Sequence, residues 1–418
     1  MKRRLTTQAT ASLAAILLIA GCSAGASDDT IATSPGEAAA VETTTEPTEE
    51  SNETADAAGP ATSTSATSEL VDVDWDSLPT TEVELTDDGL TITEAGTYVL
   101  TGESAGQVAV DTDGYVRLIL DGVTINSAEG AAIQIDNAEL AVIELADGAT
   151  NTISDSATRS DEEIDGAIYS SDGLVVTGTG TLNVTANFAD GVVGKDDLWI
   201  ESGTINVTSV DDGIRGKDSL NISGGTITID AQGDGMKSSN DTDLGLGQLN
   251  ITGGDITITT GDDAIKAEQA LTISGGTIEI VSSVEGIEAP VIVIDGGDIS
   301  VNASDDGINA SASDIVLEGL SITINDGNIT IVMGAGDTDA IDSNGDLTVN
   351  GGTLNITAQS AFDYDGTGTL TGGTINVNGE AWTELTQTGP GAGGMGGGMG
   401  GPGGGQPGGD MGGPGQNG

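Results

Sequence analysis

The chain has 418 residues, 67 of them acidic and 10 basic, with no histidine, one cysteine, 66 glycines and 2% aromatics. A formal charge of −57 excludes unspecific attachment to nucleic acid or to an anionic membrane surface, since both reward the opposite sign. One cysteine and no histidine exclude disulfides, zinc, iron–sulfur and haem sites of ordinary composition, and Ser-His-Asp or Cys-His catalysis; hard oxygen ligands, which suit calcium, remain abundant.

In chain order, Lys2, Arg3 and Arg4 precede an apolar run, Leu13 to Ala20, too short to span a bilayer. The run ends in Leu18-Ile19-Ala20-Gly21-Cys22, which resembles the bacterial lipoprotein signal. Residues 1–21 are therefore expected to be a signal peptide and Cys22 the lipidated N-terminus. The mature chain would carry −57 − 3 = −60 and work lipid-anchored, on the outer side of the cytoplasmic membrane or at the cell surface. The alternative is an ordinary secretory signal with a chance cysteine. Residues 22–79 are rich in Ser, Thr, Ala, Glu and Pro without hydrophobic period; they are expected to form a disordered tether. The Gly-, Pro- and Met-rich tail, 389–418, is expected to be unstructured as well.

The middle repeats. A Gly-Gly phrase followed by alternating β-branched and polar residues recurs, as in Gly224-Gly225-Thr226-Ile227-Thr228-Ile229 and Gly275-Gly276-Thr277-Ile278-Glu279-Ile280. Steps from Thr181 through Thr204, Thr226, Asp255, Thr277, Asp298, Thr353 and Thr374 are 23, 22, 29, 22, 21, 55 and 21 residues. The 29 holds a short insertion, and the 55 hides a degenerate coil near Asn328. A period near 22 with three short alternating runs per repeat predicts an all-β solenoid, a right-handed parallel β-helix over 80–388. About 13 coils at about 4.8 Å each would give a rod about 60 Å long, expected to be monomeric. A calcium-loaded nonapeptide roll is the nearest rival, and its period is too short.

Stacked coils turn sequence positions into columns. An acidic phrase precedes each Gly-Gly phrase: Asp190, Asp211-Asp212, Asp234, Asp262-Asp263, Glu285 and Asp305-Asp306. Charges one rung apart repel by about 1 kcal/mol in water and several times that at a partly buried corner. These carboxylates, with Asp241 and Asp243 of the insertion, are the candidate ligands for calcium. The competing reading is that Asp-Gly makes a good turn while sodium and water screen the charge. Of seven basic residues remaining after processing, five follow an acidic corner. Arg215, Lys237 and Lys266 share one column, after Tyr169 and Val193, and Lys195 and Lys217 share a neighbouring one. Lys195, Arg215, Lys217, Lys237, Lys266 and Tyr169 are the candidate glycan contacts; salt bridges across rungs would explain the same bases. Trp199 is either a further sugar contact or a packing residue.

Several stretches resemble a bacterial family of extracellular carbohydrate-binding parallel β-helices: 118–125, 145–153, Asp212-Gly213-Ile214-Arg215-Gly216-Lys217-Asp218 and 235–241. The resemblance implies a calcium-binding rod, similar in shape to pectate lyases, that binds acidic polysaccharide such as polygalacturonate and possibly cellulose. Read so, the chain is a surface binding module. One alternative is a calcium-dependent polysaccharide lyase with Arg215, Lys237 or Lys266 as base, although the connections look mostly too short to wall a catalytic cleft. A second is a structural envelope rod without a specific glycan.

Overall fold

The computed structural model describes residues 72–334 and 338–388. The expected signal peptide, Cys22, most of the expected tether and the glycine-rich tail lie outside them. The described residues form a parallel β-helix, the all-β solenoid expected from the period, with one 3-10 turn at Trp75–Ser77. Its handedness follows from the right-handed crossover that parallel strands adopt.

Each coil contributes to three parallel ladders. Ser219–Ile222, Thr226–Ala231 and Ile214–Gly216 represent the first, second and third. The first two merge into one 24-stranded sheet because Gly96–Ser104 and Tyr115–Asn126 run straight through the corner between them. The third is a separate 12-stranded sheet, from Leu90–Ile92 to Ser360–Tyr364. Register follows the repeat: Thr181, Thr204, Thr226, Asp255, Thr277, Asp298, Asn328, Thr353 and Thr374 pair in succession. The coil hidden in the 55-residue step is therefore the one at Asn328.

Period-two alternation sends one set of side chains inward. Ile205, Ile227, Ile256, Ile278, Ile299, Ile329, Leu354 and Ile375 form one such stack, none more than 2% exposed. A fully buried isoleucine is worth about 1.5–3 kcal/mol, so the core is a column of equal contributions. The Gly-Gly phrase is demanded by the stacking. Gly225 sits at φ +94°, and a Cβ on Gly224 would lie 2.5 Å from the Glu201 carbonyl oxygen of the preceding coil.

The C-terminal end of the rod is covered, which blunts edge pairing there. Glu380–Trp382 returns antiparallel over Thr374–Val377, Trp382 packs on Phe362 at 6.0 Å, and the Thr388 amide donates to the Phe362 carbonyl (3.1 Å). Near the N-terminal end, within the segment read from sequence as tether, Trp75 packs on the side of the rod, edge-on to Tyr115 (6.5 Å) and beneath Arg117 (5.1 Å). It covers an outward apolar patch of the first ladder, Leu140, Val142 and Val175, which Trp199 also joins. Trp199 is thus a packing residue.

Candidate functional site

The corner between the second and third ladders carries the acidic phrase. Asp190, Asp212, Asp234, Asp263, Glu285, Asp306 and Asp339 follow one another through the backbone pairing of successive coils. Asp211, Asp262 and Asp305 are exposed beside them on alternate rungs, with Gly233 and Val284 between. Three residues on, the outward column of the third ladder reads Tyr169, Val193, Arg215, Lys237, Lys266, Glu288, Asn309, Asp342 and Asp363. The bases fall on consecutive rungs, as the spacing predicts.

Asp190, Asp212 and Asp234 do two jobs, and Asp306 and Asp263 one each. One oxygen accepts the backbone N–H of the next coil: Asp190 from Asp212 (3.1 Å), Asp212 from Asp234 (2.9 Å), Asp234 from Asp263 (3.1 Å) and Asp306 from Asp339 (3.0 Å). This spine fixes the corner and explains why aspartate recurs there beyond the needs of a turn. The other oxygen faces the bases. Arg215 reaches Asp190 (2.6 Å) and Asp165 (2.5 Å), Lys237 reaches Asp234 (2.7 Å) and Asp212 (3.8 Å), and Lys266 reaches Asp263 (2.7 Å) and Glu288. Lys195 pairs with Asp165 (3.1 Å) and lies over the Tyr169 ring (5.6 Å). Lys217 makes no ion pair among the described residues.

From Asp190 to Asp263 the counter-charge therefore comes from the protein itself. Burial works against the charged forms of Arg215, Lys237 and Lys266, but the adjoining carboxylates outweigh it and hold all three above their ordinary values. Beyond Lys266 the column changes sign. Burial, with Glu288 next, raises Glu285 to about 7. Burial raises Asp306 to about 6 despite the hydrogen bond from the Asp339 amide, and burial with the neighbouring Asp306 raises Asp342 to about 7. Asp212 also reaches about 7 through burial, although Lys237 opposes it. Burial and the Glu288 hydrogen bond push Asp263 up to about 8, while hydrogen bonds from Asp263, Lys266 and Ser311 hold Glu288 low against its own burial.

Two carboxylate triads, Asp234–Asp262–Asp263 and Asp263–Glu285–Glu288, each bring oxygens within 4.8 Å of one another. Beside the second, Asn309 donates to Glu285 (3.0 Å), while its own Oδ1 is buried without a partner. An all-oxygen set with an orphaned amide oxygen suits a hard cation.

A pH dependence follows. In the chain freed of divalent ions, Asp212, Glu285, Asp306 and Asp342 have folded values above their unfolded ones. Between about pH 4 and about pH 7 the folded state holds more protons, so stability rises on acidification. The unfolding midpoint in EDTA is expected to climb from about pH 8 to about pH 5.5; a fall over that range would contradict the burial of the ladder.

Long connections border this same face. They are 155–165 at the acidic corner, and 239–247 and 311–320 at the corner between third and first ladders. The connections are mostly short, as expected, and these three are the exceptions that line clefts on this face. One cleft of ≈ 370 Å³ contains Asp190, Asp211, Asp212, Arg215, Lys237 and Asp241. A second, ≈ 350 Å³, lies along Lys266, Glu288 and 311–317. Neither has an aromatic lining residue. Asp243 lies outside both linings; its backbone N–H donates to Asn240 (2.8 Å) and its carbonyl accepts from Gln269 (2.7 Å).

Sequence reasoning missed Glu288, Asn309, Asp342 and Asp363; adding three to the acidic corners Glu285, Asp306 and Asp339 finds the first three, whereas Asp363 follows Ser360. It also missed Arg159, which nothing in the repeat marks. Its guanidinium pairs with Asp155 (2.5 Å), both side chains at most 1% exposed.

A family model described as "Carbohydrate-binding domain-containing protein" matches residues 86–340 and, in a second overlapping match, 285–388. A relative of that description from Acetivibrio thermocellus is 38% identical over 124 residues, 28% of this chain and 43% of the relative. The chain thus spans less than half the length of that curated relative. A solved structure described as a polysaccharide lyase-like protein from C. thermocellum, gadolinium derivative, is 32% identical at a TM-score of 0.46, over 52% of this chain and 92% of that one. The chain belongs to the carbohydrate-binding domain-containing protein family.

Proposed function

We propose that the chain binds polysaccharide along its third ladder, as a module lipid-anchored through Cys22 outside the cytoplasmic membrane, and that its preferred ligands are acidic and held through calcium. One observation carries the reading: the long connections 155–165, 239–247 and 311–320 all border the face on which the ionisable column stands.

Charge then dictates the manner of binding. A chain of formal charge −57 repels a polyuronate, and Arg215, Lys237 and Lys266 already serve the ladder. A carboxylated sugar is accommodated only if a divalent ion bridges it to surplus carboxylates. Glu285, Asp305, Asp306 and Asp342 supply them, Asp305 from an exposed position. The ion would contribute charge neutralisation and a shared coordination sphere.

The lyase alternative is weakened by the same pairs. β-Elimination needs a base that is neutral at working pH, and the carboxylates keep these three side chains protonated. No unsaturated uronate is expected to accumulate when the chain is incubated with polygalacturonate and calcium; sustained ultraviolet absorbance from such products would reinstate the enzyme.

Retention on immobilised polygalacturonate tests the binding reading directly. The chain is expected to be held in millimolar calcium and released by EDTA; equal retention in both would remove calcium from the mechanism. Lys237→Ala with Lys266→Ala should weaken retention and also lower stability, because Asp234 and Asp263 lose their ion-pair partners. The stability loss is expected to be about 1–3 kcal/mol for groups of this partial burial. Unchanged retention by that variant would confine the glycan to the acidic stretch beyond Lys266 and remove the bases from its recognition.

A further inference from the structure

Asparagine followed by glycine occurs at Asn344-Gly345, Asn350-Gly351 and Asn378-Gly379 among the described residues. This dipeptide is chemically fragile. No side chain on the glycine shields its nitrogen, which attacks the asparagine amide carbon wherever that side chain is free to turn. The structure holds the three asparagines very differently.

At Asn350 both side-chain atoms are engaged across the rungs. Nδ2 donates to Asn325 Oδ1 (2.8 Å), and Oδ1 accepts from the Thr371 hydroxyl (2.6 Å). At Asn378, in the turn before the closing strand, Nδ2 donates to the Ala358 carbonyl (2.9 Å) and Oδ1 accepts the Ala358 N–H (3.3 Å). Asn344 is exposed. Its one side-chain hydrogen bond among the described residues, from Nδ2 to Asp342 Oδ2, is long at 3.5 Å.

The fold needs the glycine at this corner but not the asparagine. The Asp346 N–H reaches the Leu320 carbonyl (3.1 Å), and a Cβ on Gly345 would run into that same oxygen. Asn344 contributes only its backbone N–H, which donates to the Ala310 carbonyl (3.0 Å). Lys217, Ser239 and Glu268 make the corresponding bond in their own coils, so the position accepts varied side chains. The Gly345 N–H itself is held only by the Ser343 hydroxyl, at 3.3 Å.

We infer that Asn344 is a site of spontaneous deamidation in the folded rod, and that their hydrogen bonds protect Asn350 and Asn378. The Gly345 nitrogen bonds to Asn344 Cγ, the Cγ–Nδ2 bond breaks, and ammonia leaves carrying the proton of the Gly345 amide. Water then opens the cyclic imide at either carbonyl, giving aspartate or its isoaspartyl isomer. Each event takes the formal charge to −57 − 1 = −58. It sets a carboxylate where an amide had donated to Asp342, in the acidic stretch beyond Lys266. The inference is independent of the polysaccharide reading, because its readout is mass rather than binding.

The test ages the full chain at mildly alkaline pH, with and without denaturant, and follows the three sites by peptide mapping. In the folded chain Asn344 is expected to convert about tenfold faster than Asn350 or Asn378, since freeing either of those breaks two hydrogen bonds. In denaturant the three rates should converge. Asn344→Gln should remove the main acidic species on anion exchange and leave the unfolding midpoint unchanged. Equal conversion of the three sites in the folded chain, or an Asn344 that stays intact there, overturns the inference. So does a lead of Asn344 that persists undiminished in denaturant, because the coil would then have no part in it. An acidic species that survives Asn344→Gln places the modification elsewhere and overturns it as well.

Discussion

Replacing Arg159 by methionine is expected to destabilise the rod by about 3–5 kcal/mol, the usual consequence of leaving one partner of a buried ion pair alone. The guanidinium holds 155–165 from inside. It donates to Asp155 (2.5 Å) and to the carbonyls of Ser156 (2.6 Å), Ile164 (2.7 Å) and Gly166 (3.1 Å), and lies over the Phe188 ring at 4.7 Å. Asp155 in turn accepts the Asn187 N–H of the next coil (2.6 Å), so the pair ties the loop to the helix wall. Methionine keeps the bulk and loses every donor. The fall in unfolding midpoint should be roughly 5–10 °C, and amide exchange should accelerate first in 155–165, because a solenoid loses order locally. Adding Asp155→Asn should recover part of the loss by removing the stranded charge. A single variant within 1 kcal/mol of wild type would show that the loop's carbonyls find water instead.

Arg159 also marks the limit of what the sequence reveals. The fold is legible because a solenoid writes the same physics in every coil. Inward β-branched residues, a Gly-Gly turn that only glycine can make beneath the previous carbonyl, and a corner aspartate all repeat at the same interval. Pairing of Arg215, Lys237 and Lys266 follows from counting alone. Events that occur once are not legible in this way. The excursion 311–320 adds its residues to an already degenerate step and so hides inside it, and Arg159 lies in a connection with no equivalent in other coils. The corner aspartates show a subtler loss. Their recurrence reads as charge awaiting cations, whereas one oxygen of several is committed to the next backbone amide and the other to a neighbouring base. Only past Lys266, where Glu288, Asn309 and Asp342 take the positions of the bases, does the surplus charge lack a protein partner in the column.

Calcium is therefore expected to act on the C-terminal half of the ladder. Chelation should lower the unfolding midpoint at about pH 7.5 by on the order of 5–10 °C. Two carboxylates one rung apart repel by about 1 kcal/mol in water and about 4 kcal/mol at the effective dielectric of a partly buried site. Glu285, Asp306 and Asp342, each raised towards neutrality by burial first and by acidic neighbours, show that this stretch resists full ionisation. Divalent ions taken up along this stretch would reverse that cost. Magnesium should restore little, since it demands a tighter octahedron than side chains on a fixed rung spacing provide. The increment from calcium should shrink towards about pH 5.5, where protons occupy the same carboxylates. Asp306→Asn with Asp342→Asn separates this account from general screening. The variant should be more stable than wild type in EDTA, because repulsion is relieved, and should gain almost nothing from calcium. A midpoint indifferent to chelation, or a variant that still responds fully to calcium, would place the ion elsewhere or dispense with it.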